Sequence, residues 1–239
     1  MHHYSQADLH IHTTCSDGNM TSEEVVEWAA RKTHLRVIAI TDHDTIEGGL
    51  LAKDYRDKHL ARLGHIDVIV GAEIMTAEAD VLGLFLTHDI TPGLSAAETI
   101  ARIHAQGGLA VAAHPFTMIG WLAGDMKGAG LRIRRLPFDA VEVQHASLTE
   151  IISNPIARAV NRWSQRLPGT GGSDAHVINA VGNAYTLFPG HTAADLRRAI
   201  ETGATIPAGF YYSPMTMLRT TTSILSMKLR RSRKAPANT

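Results

Sequence analysis

Residues 35–45 read Leu35-Arg36-Val37-Ile38-Ala39-Ile40-Thr41-Asp42-His43-Asp44-Thr45, an apolar run of strand length that turns polar at the mouth of the next amphipathic stretch. The same unit recurs on both sides of it. Upstream, Ala7-Asp8-Leu9-His10-Ile11-His12 alternates with period two, and Thr21-Ser22-Glu23-Glu24 opens a helix with a capping hydroxyl and acids in its first turn. Downstream come apolar runs at 67–71, 81–86, 109–113, 140–143 and 184–188. Thr91-Pro92-Gly93 leads into a helix from about Ser95 that ends near Gly107-Gly108, and another runs from Thr192 to about Thr202. Strands alternating with helices at this spacing predict parallel βα units, about seven of them, in a closed or nearly closed α/β barrel. An open doubly wound sheet is the alternative. No Gly-x-Gly-x-x-Gly turn follows the first strand, which disfavours its dinucleotide-binding form.

The chain has 239 residues, 44% of them hydrophobic, enough for a real core and against global disorder. Its 23 Lys and Arg balance 23 Asp and Glu, but unevenly. No acid follows Glu201, whereas Arg219, Lys228, Arg230, Arg231, Arg233 and Lys234 do, so a net acidic body carries a basic tail. Residues 1–212 read as one domain, and 213–239 as a helix from Pro214 to about Leu229 followed by a partly disordered basic end containing Pro236. A single cysteine, Cys15, excludes an internal disulfide and a Cys-rich zinc knuckle. No signal-like segment precedes the first motif and no apolar run approaches the ~20 residues of a membrane span, so a cytoplasmic protein is expected.

Histidine is the departure from the ordinary, at 14 residues, and its placement carries the chemistry. His10 and His12, two apart on a strand, project from one face and can chelate a divalent ion. Asp174 and His176 repeat that spacing, and carboxylate with imidazole suits a borderline metal such as Zn²⁺, Mn²⁺ or Fe²⁺. His43, Glu73 and His114 each follow directly on an apolar run, and in a parallel barrel such points gather at the C-terminal face. Asp8 and Asp42 lie beside these residues and are candidates to orient imidazoles; Asp44 and Thr45 read as helix caps. Gly169-Thr170-Gly171-Gly172 reads as a turn and lacks the Lys of a phosphate-binding P-loop.

With these motifs in place, the chain resembles the polymerase and histidinol phosphatase (PHP) superfamily of metal-dependent phosphoesterases over residues 7–206. The resemblance rests on Asp8-Leu9-His10-Ile11-His12, Ser16-Asp17-Gly18, Thr41-Asp42-His43-Asp44-Thr45, Gly71-Ala72-Glu73, Ala113-His114-Pro115 and Gly172-Ser173-Asp174-Ala175-His176. It implies a distorted (β/α)₇ barrel with two or three divalent ions, Mn, Zn or Fe, at the C-terminal ends of its strands. It assigns one ion to His10, His12, Glu73 and Asp174, a second, bridged by Glu73, to His114, and a third to Asp17, His43 and His176. Many members have a histidine where this chain has Asp80, which is the expected further ligand of the second ion; His88 is the alternative. Three divalent ions against the carboxylates of Asp17, Glu73, Asp80 and Asp174 leave a positive pocket suited to an anionic phosphoester. The expected mechanism is in-line attack by a metal-bridging hydroxide, with Glu73 and Asp174 central to it; Glu142 and His145 close the sixth strand at the same face, and His145 is the candidate to contact substrate or protonate the leaving group.

The motifs do not separate small-molecule phosphatases from nucleases. Only residues 87–113 join the fourth strand to the Ala-His-Pro motif, which favours a compact, open site and a small phosphorylated substrate or nucleotide. A 5′→3′ oligonucleotide exonuclease or phosphodiesterase is the alternative, in which the basic tail binds nucleic acid. A non-catalytic metal-binding docking module is disfavoured because the main ligand positions are filled. A metal-dependent amidohydrolase also carries His-x-His on its first strand, but the Ser16-Asp17 and Asp42-His43 motifs fit it poorly. A membrane-surface role for residues 215–231 lacks a well-defined apolar face.

Overall fold

The computed structural model describes residues 3–64, 66–117, 127–164 and 166–234, with residues 227–234 described by backbone alone. The expected βα alternation begins with β1 (Tyr4–Asp8), α1 (Ser22–Lys32), β2 (Leu35–Ile40), α2 (Glu47–Lys58), the single turn α3 (Leu60–Leu63) and β3 (Asp67–Met75). Then come β4 (Asp80–Leu84), α4 (Ala96–Ala105), β5 (Leu109–Ala112), β6 (Ala140–His145), α5 (Ser153–Trp163) and β7 (Gly169–Gly172). The antiparallel strands β8 (Ala184–Pro189) and β9 (Ile206–Gly209) flank α6 (Ala193–Glu201), and α7 (Pro214–Lys234) ends the described chain. The caps read from sequence form: Thr21 and Thr192 make reciprocal capping boxes with Glu24 and Asp195, and Ser95 accepts the Glu98 N–H. Helix α7 extends beyond Leu229 to Lys234; the end of the basic tail, residues 235–239, lies outside the described residues.

One sheet of nine strands runs β7-β6-β5-β4-β3-β2-β1-β8-β9. Its ends curl together. Ile11 and Ala175 form a parallel bridge just beyond β1 and β7, with the His12 N–H donating to the Ala175 carbonyl at 2.9 Å and the Ala175 N–H to the His10 carbonyl at 3.3 Å. Asp8 pins this seam, its carboxylate accepting the backbone N–H groups of His10, Ser173 and Gly182. Burial pushes its pKa up to about 6, and these hydrogen bonds go to backbone N–H groups, so it orients backbone rather than the rings expected from sequence. Strand alternation divides the core. Val37 and Ala39 face inward with Leu9, Ile69, Leu82, Val111 and the fully buried Phe188, whereas Ile38 and Ile40 pack outward against the layer containing Val25, Val26 and Ala52 of α1 and α2.

The barrel departs from a parallel repeat at one place that matters for the site. Strand β4 is antiparallel to both β3 and β5, while β1, β2, β3, β5, β6 and β7 run together. Residues 76–79 alone join β3 to β4, far fewer than the dozen or so that a parallel crossover needs. Reversal brings the first residue of β4, Asp80, to the end where its parallel neighbours finish. His88, beyond the opposite end of β4, bonds to Thr87 and Gln106 at the surface and is removed as a ligand. Gly169–Gly172, read as a turn, is instead strand β7. A Cβ on Gly172 would lie 2.5 Å from Glu142 Oε1 and 2.6 Å from His10 Cβ, so the missing side chain lets these two groups approach. Among the described residues, no helix is long and apolar enough to cross a membrane.

Candidate metal centre

The polar groups converge where the parallel strands end. His10 and His12 follow β1, His43 follows β2 and is bridged to Glu73 of β3, and His114 follows β5. Glu142 and His145 lie on β6, and Asp174 and His176 follow β7. The third strand is longer than its apolar run suggested, so Glu73 sits within β3 rather than after it. His114 and Asp174 hold left-handed backbone, at φ 23° and 53°, a conformation that non-glycine residues keep only where their surroundings enforce it.

Four sets of side chains bring their ligand atoms within 4.8 Å of one another: His10, His12, Glu73 and Asp174; Glu73, Asp80 and His114; His12, Asp17, His43 and His176; and His10, Glu142 and His145. Glu73 joins the first two. Its Oε2 lies 3.2 Å from His10 Nε2, 3.3 Å from His12 Nε2 and 3.3 Å from His43 Nδ1, while Oε1 lies 2.9 Å from His114 Nε2. Asp174 Oδ1 is 3.0 Å from His12 Nε2 and 3.5 Å from His10 Nε2, and Asp17 Oδ1 is 3.0 Å from His176 Nε2. All nine candidate ligands expected from sequence therefore lie in one cluster, in groups close to those the resemblance implies, with His12 shared between two sets and His10, Glu142 and His145 forming a further one.

Burial and charge make this cluster unusual. Burial alone disfavours charged imidazole, yet Glu73, Asp174 and Glu142 overcome it and hold His10 well above its ordinary range. Against the same burial, Asp174, Glu73 and Asp17 carry His12 to about 10, and Glu73, Asp80 and Glu142 carry His114 to about 9. Conversely, the surrounding imidazoles outweigh burial and keep Glu73, Asp174 and Asp17 below the carboxylate range. Asp80 moves the other way, pushed up to about 6 by burial and by Glu73. Acidic oxygens packed this closely need positive charge between them. Protons on the rings supply it in part; a divalent cation supplies it while leaving the rings neutral, the form in which histidine ligates.

The donor set fits such cations. His12 Nε2 and His43 Nδ1 are buried without a hydrogen bond although each has a carboxylate oxygen within 3.3 Å, the arrangement of donors aimed at a shared centre rather than at each other. Imidazole and carboxylate are the ligands of borderline divalent metals. Cys15 lies outside the cluster's ligand sets.

Several supporting residues were only partly visible in the sequence. Glu142 accepts the His114 N–H at 2.9 Å and lies 3.3 Å from His10 Nδ1, fixing which ring nitrogen faces the centre. Asp42 grips the loop after His12, accepting from the Thr13 N–H, the Thr13 hydroxyl and the Ser16 hydroxyl, and Ser16 Oγ lies 3.4 Å from His12 Nδ1. It thus reaches an imidazole through Ser16. Asp44 is not a helix cap; its carboxylate accepts the Met75 N–H, tying the β2 loop to β3, while Thr45 receives the Glu47 N–H. His145 Nδ1 accepts the Ser147 N–H, which leaves the proton on Nε2, 3.2 Å from Asp174 Oδ2. The ring is 1% exposed. Tyr212, just before α7, was missed entirely: its buried hydroxyl donates to the carbonyl of Ser173 and, at 2.9 Å, to that of Asp174. No local pattern announces a side chain that bonds backbone 38 residues away.

The sequence matches the family model for the PHP domain over residues 8–152 and that for the PHP-associated region over residues 156–205. An uncharacterized protein of Methanocaldococcus jannaschii is 39% identical over 173 residues, covering 68% of this chain and 94% of that one. A phosphoribosyl 1,2-cyclic phosphate 1,2-diphosphodiesterase of Eggerthella lenta is 36% identical over 106 residues, 41% of this chain and 38% of its own length. The 5′-3′ exoribonuclease Rnm of Escherichia coli is 36% identical over 104 residues, 40% of this chain and 33% of its own. In architecture the chain is similar to a two-domain protein of Bacteroides vulgatus that contains a predicted PHP-like metal-dependent phosphoesterase, with TM-score 0.66, 17% identity, and coverage of 95% of this chain and 70% of that one. The motifs, the barrel and the family match agree, and the chain belongs to the PHP-domain family of metal-dependent phosphoesterases.

Proposed function

We propose that this phosphoesterase is a phosphatase of small phosphomonoesters, nucleotides among them, and that its centre is held by His10, His12, Asp17, His43, Glu73, Asp80, His114, Asp174 and His176. The observation that carries the reading is Glu73, whose two oxygens face different ligand sets and so bind two sites into one. Divalent ions bound there supply Lewis-acid chemistry, acidifying water and neutralising phosphoryl oxygens. The chain's own part is to place those charges and keep them placed: Glu142 orients His10, and Asp174 is gripped from three sides by His12, His145 and Tyr212. With its Nε2 proton directed at Asp174, we assign His145 to positioning that carboxylate in place of the leaving-group role expected from sequence.

Phosphate release from AMP, histidinol phosphate and a 5′-phosphorylated RNA in Mn²⁺ tests the reading, with mononucleotide release from the RNA followed in parallel. Turnover of the monoesters, lost together with bound metal in Asp174→Ala, is the expected result; activity retained by that variant refutes the assigned centre. Shortening of the RNA without turnover of the monoesters replaces the reading with stepwise oligonucleotide cleavage, which the likeness to an exoribonuclease favours as the second reading.

A further inference from the structure

A groove of about 550 Å³ lies between α7 and the loops of the metal centre. Thr14, Asn19 and Val177 form one wall and Arg219, Thr222 and Ser226 the other. The first wall belongs to the segments that carry the third ligand set: Thr14 is two residues from His12, Asn19 two from Asp17, and Val177 next to His176. Backbone bonds hold that wall to the site, since the Asn19 N–H donates to the His176 carbonyl at 3.0 Å and the Thr14 N–H to the Met20 carbonyl at 2.9 Å. The second wall is fixed as well. Thr216, Thr220 and Ser223 are buried on the body side of α7, and Tyr212 ties the preceding segment to Asp174.

Among the described residues that line the groove, one is charged, Arg219, and it stands among hydroxyl and amide side chains. Arg219 is exposed, no acid occurs in the chain after Glu201, and among the described residues Arg219 has no carboxylate partner. The same groove is lined by the hydroxyl and amide side chains of Thr14, Asn19, Asn179, Thr222 and Ser226, which can donate to or accept from a phosphorylated sugar. Both family models end by residue 205, before this wall begins.

We propose that the groove receives the part of a phosphoester substrate beyond the group being hydrolysed, and that Arg219 pairs with a second phosphate carried there. The inference rests on the phosphoesterase reading of the adjoining centre. A second phosphate has two sources, the other end of a bisphosphorylated small molecule or the next phosphodiester of a short chain, and both present the same anion to a guanidinium.

Steady-state hydrolysis by the metal-loaded full chain decides it, using AMP, a nucleoside 3′,5′-bisphosphate and a 5′-phosphorylated dinucleotide as probes. In Arg219→Ala, KM for a two-phosphate probe should rise about tenfold more than KM for AMP, as expected for loss of one charge-assisted pair, and Arg219→Lys should recover part of that difference. The differential should shrink as salt is raised. A differential for the bisphosphate alone identifies a small-molecule subsite; one for the dinucleotide alone identifies a chain-binding one. Equal changes for all three probes, or none, show a merely solvated arginine and overturn the proposal while leaving the phosphatase reading intact. A metal-loaded wild-type chain that hydrolyses none of the probes overturns the phosphatase reading and this inference with it.

Discussion

Replacing Tyr212 by Phe removes one hydroxyl and little else, because the ring remains packed and is 3% exposed. The Asp174 carbonyl retains a partner in His176 Nδ1 at 3.0 Å. The Ser173 carbonyl, in a residue with no exposed surface, loses its bond to Tyr212. Leaving a buried carbonyl unsatisfied costs about 1–3 kcal/mol. In a chain of this size each kcal/mol lowers Tm by about 2–4 °C. The left-handed backbone of Asp174 is held by the same bonds, so the change should also loosen one carboxylate of the centre. Burial, aided by the charges of Asp174, Asp8 and Glu142, raises the Tyr212 pKa well above 10. The folded state therefore keeps this proton where the unfolded state sheds it; the contribution is fully present below the unfolded pKa of ~10 and is lost as pH rises beyond it. Urea denaturation of wild type and Tyr212→Phe at pH 8 and pH 10.5, with metal content measured alongside, tests all three points. A difference below about 0.5 kcal/mol at pH 8, with metal affinity unchanged, would refute the reasoning that Tyr212 anchors the Asp174 turn.

Glu142→Gln removes the charge that orients His10 and, through the amide, the acceptor pair shared with His114; divalent-metal affinity should fall about 10–100-fold in calorimetric titration. An unchanged affinity would show that the His10 ring is held by packing alone. His145→Gln should lower kcat by a similar factor for p-nitrophenyl phosphate and for an alkyl phosphate, because a residue that positions Asp174 acts on both alike. A much larger loss on the alkyl ester, whose leaving group needs a proton, would return His145 to the role of general acid. Adding Mn²⁺ at about a hundred times its Kd should stabilise the fold by roughly 2.7 kcal/mol per site, and a melting curve insensitive to Mn²⁺ and to chelator would argue against a centre assembled only in the folded chain.

Most of the candidate ligands were legible because they directly follow a strand's apolar run, where a polar residue has no reason to be buried unless it has a task. His43, His114 and the two paired motifs are of this kind. What the sequence concealed was direction. An apolar run such as Val81–Leu86 reads the same forwards and backwards, and only the short link after β3 signals that β4 must be antiparallel. That reversal places Asp80, the candidate preferred from sequence, beside Glu73 and His114, and leaves His88 at the surface. Residues acting through backbone, Asp8, Asp44 and Tyr212, were misread or missed for a common reason. Their partners are amide and carbonyl groups, which every residue possesses and no motif distinguishes.

The seam between Ile11 and Ala175 gives the protein an order of assembly. His10 and His12 leave the ribosome first among the candidate ligands, and Asp174 and His176 last, with nearly all of the first family segment between them. A nascent chain that has reached residue 152 carries most of the imidazoles but neither half of the closing pair nor Tyr212 to brace it. Contacts of such long separation are entropically expensive to close and form late. Closing the circle is what brings Asp174 and His176 to the cluster, so a chain interrupted before β7 holds only the sets of Glu73, Asp80 and His114 and of His10, Glu142 and His145.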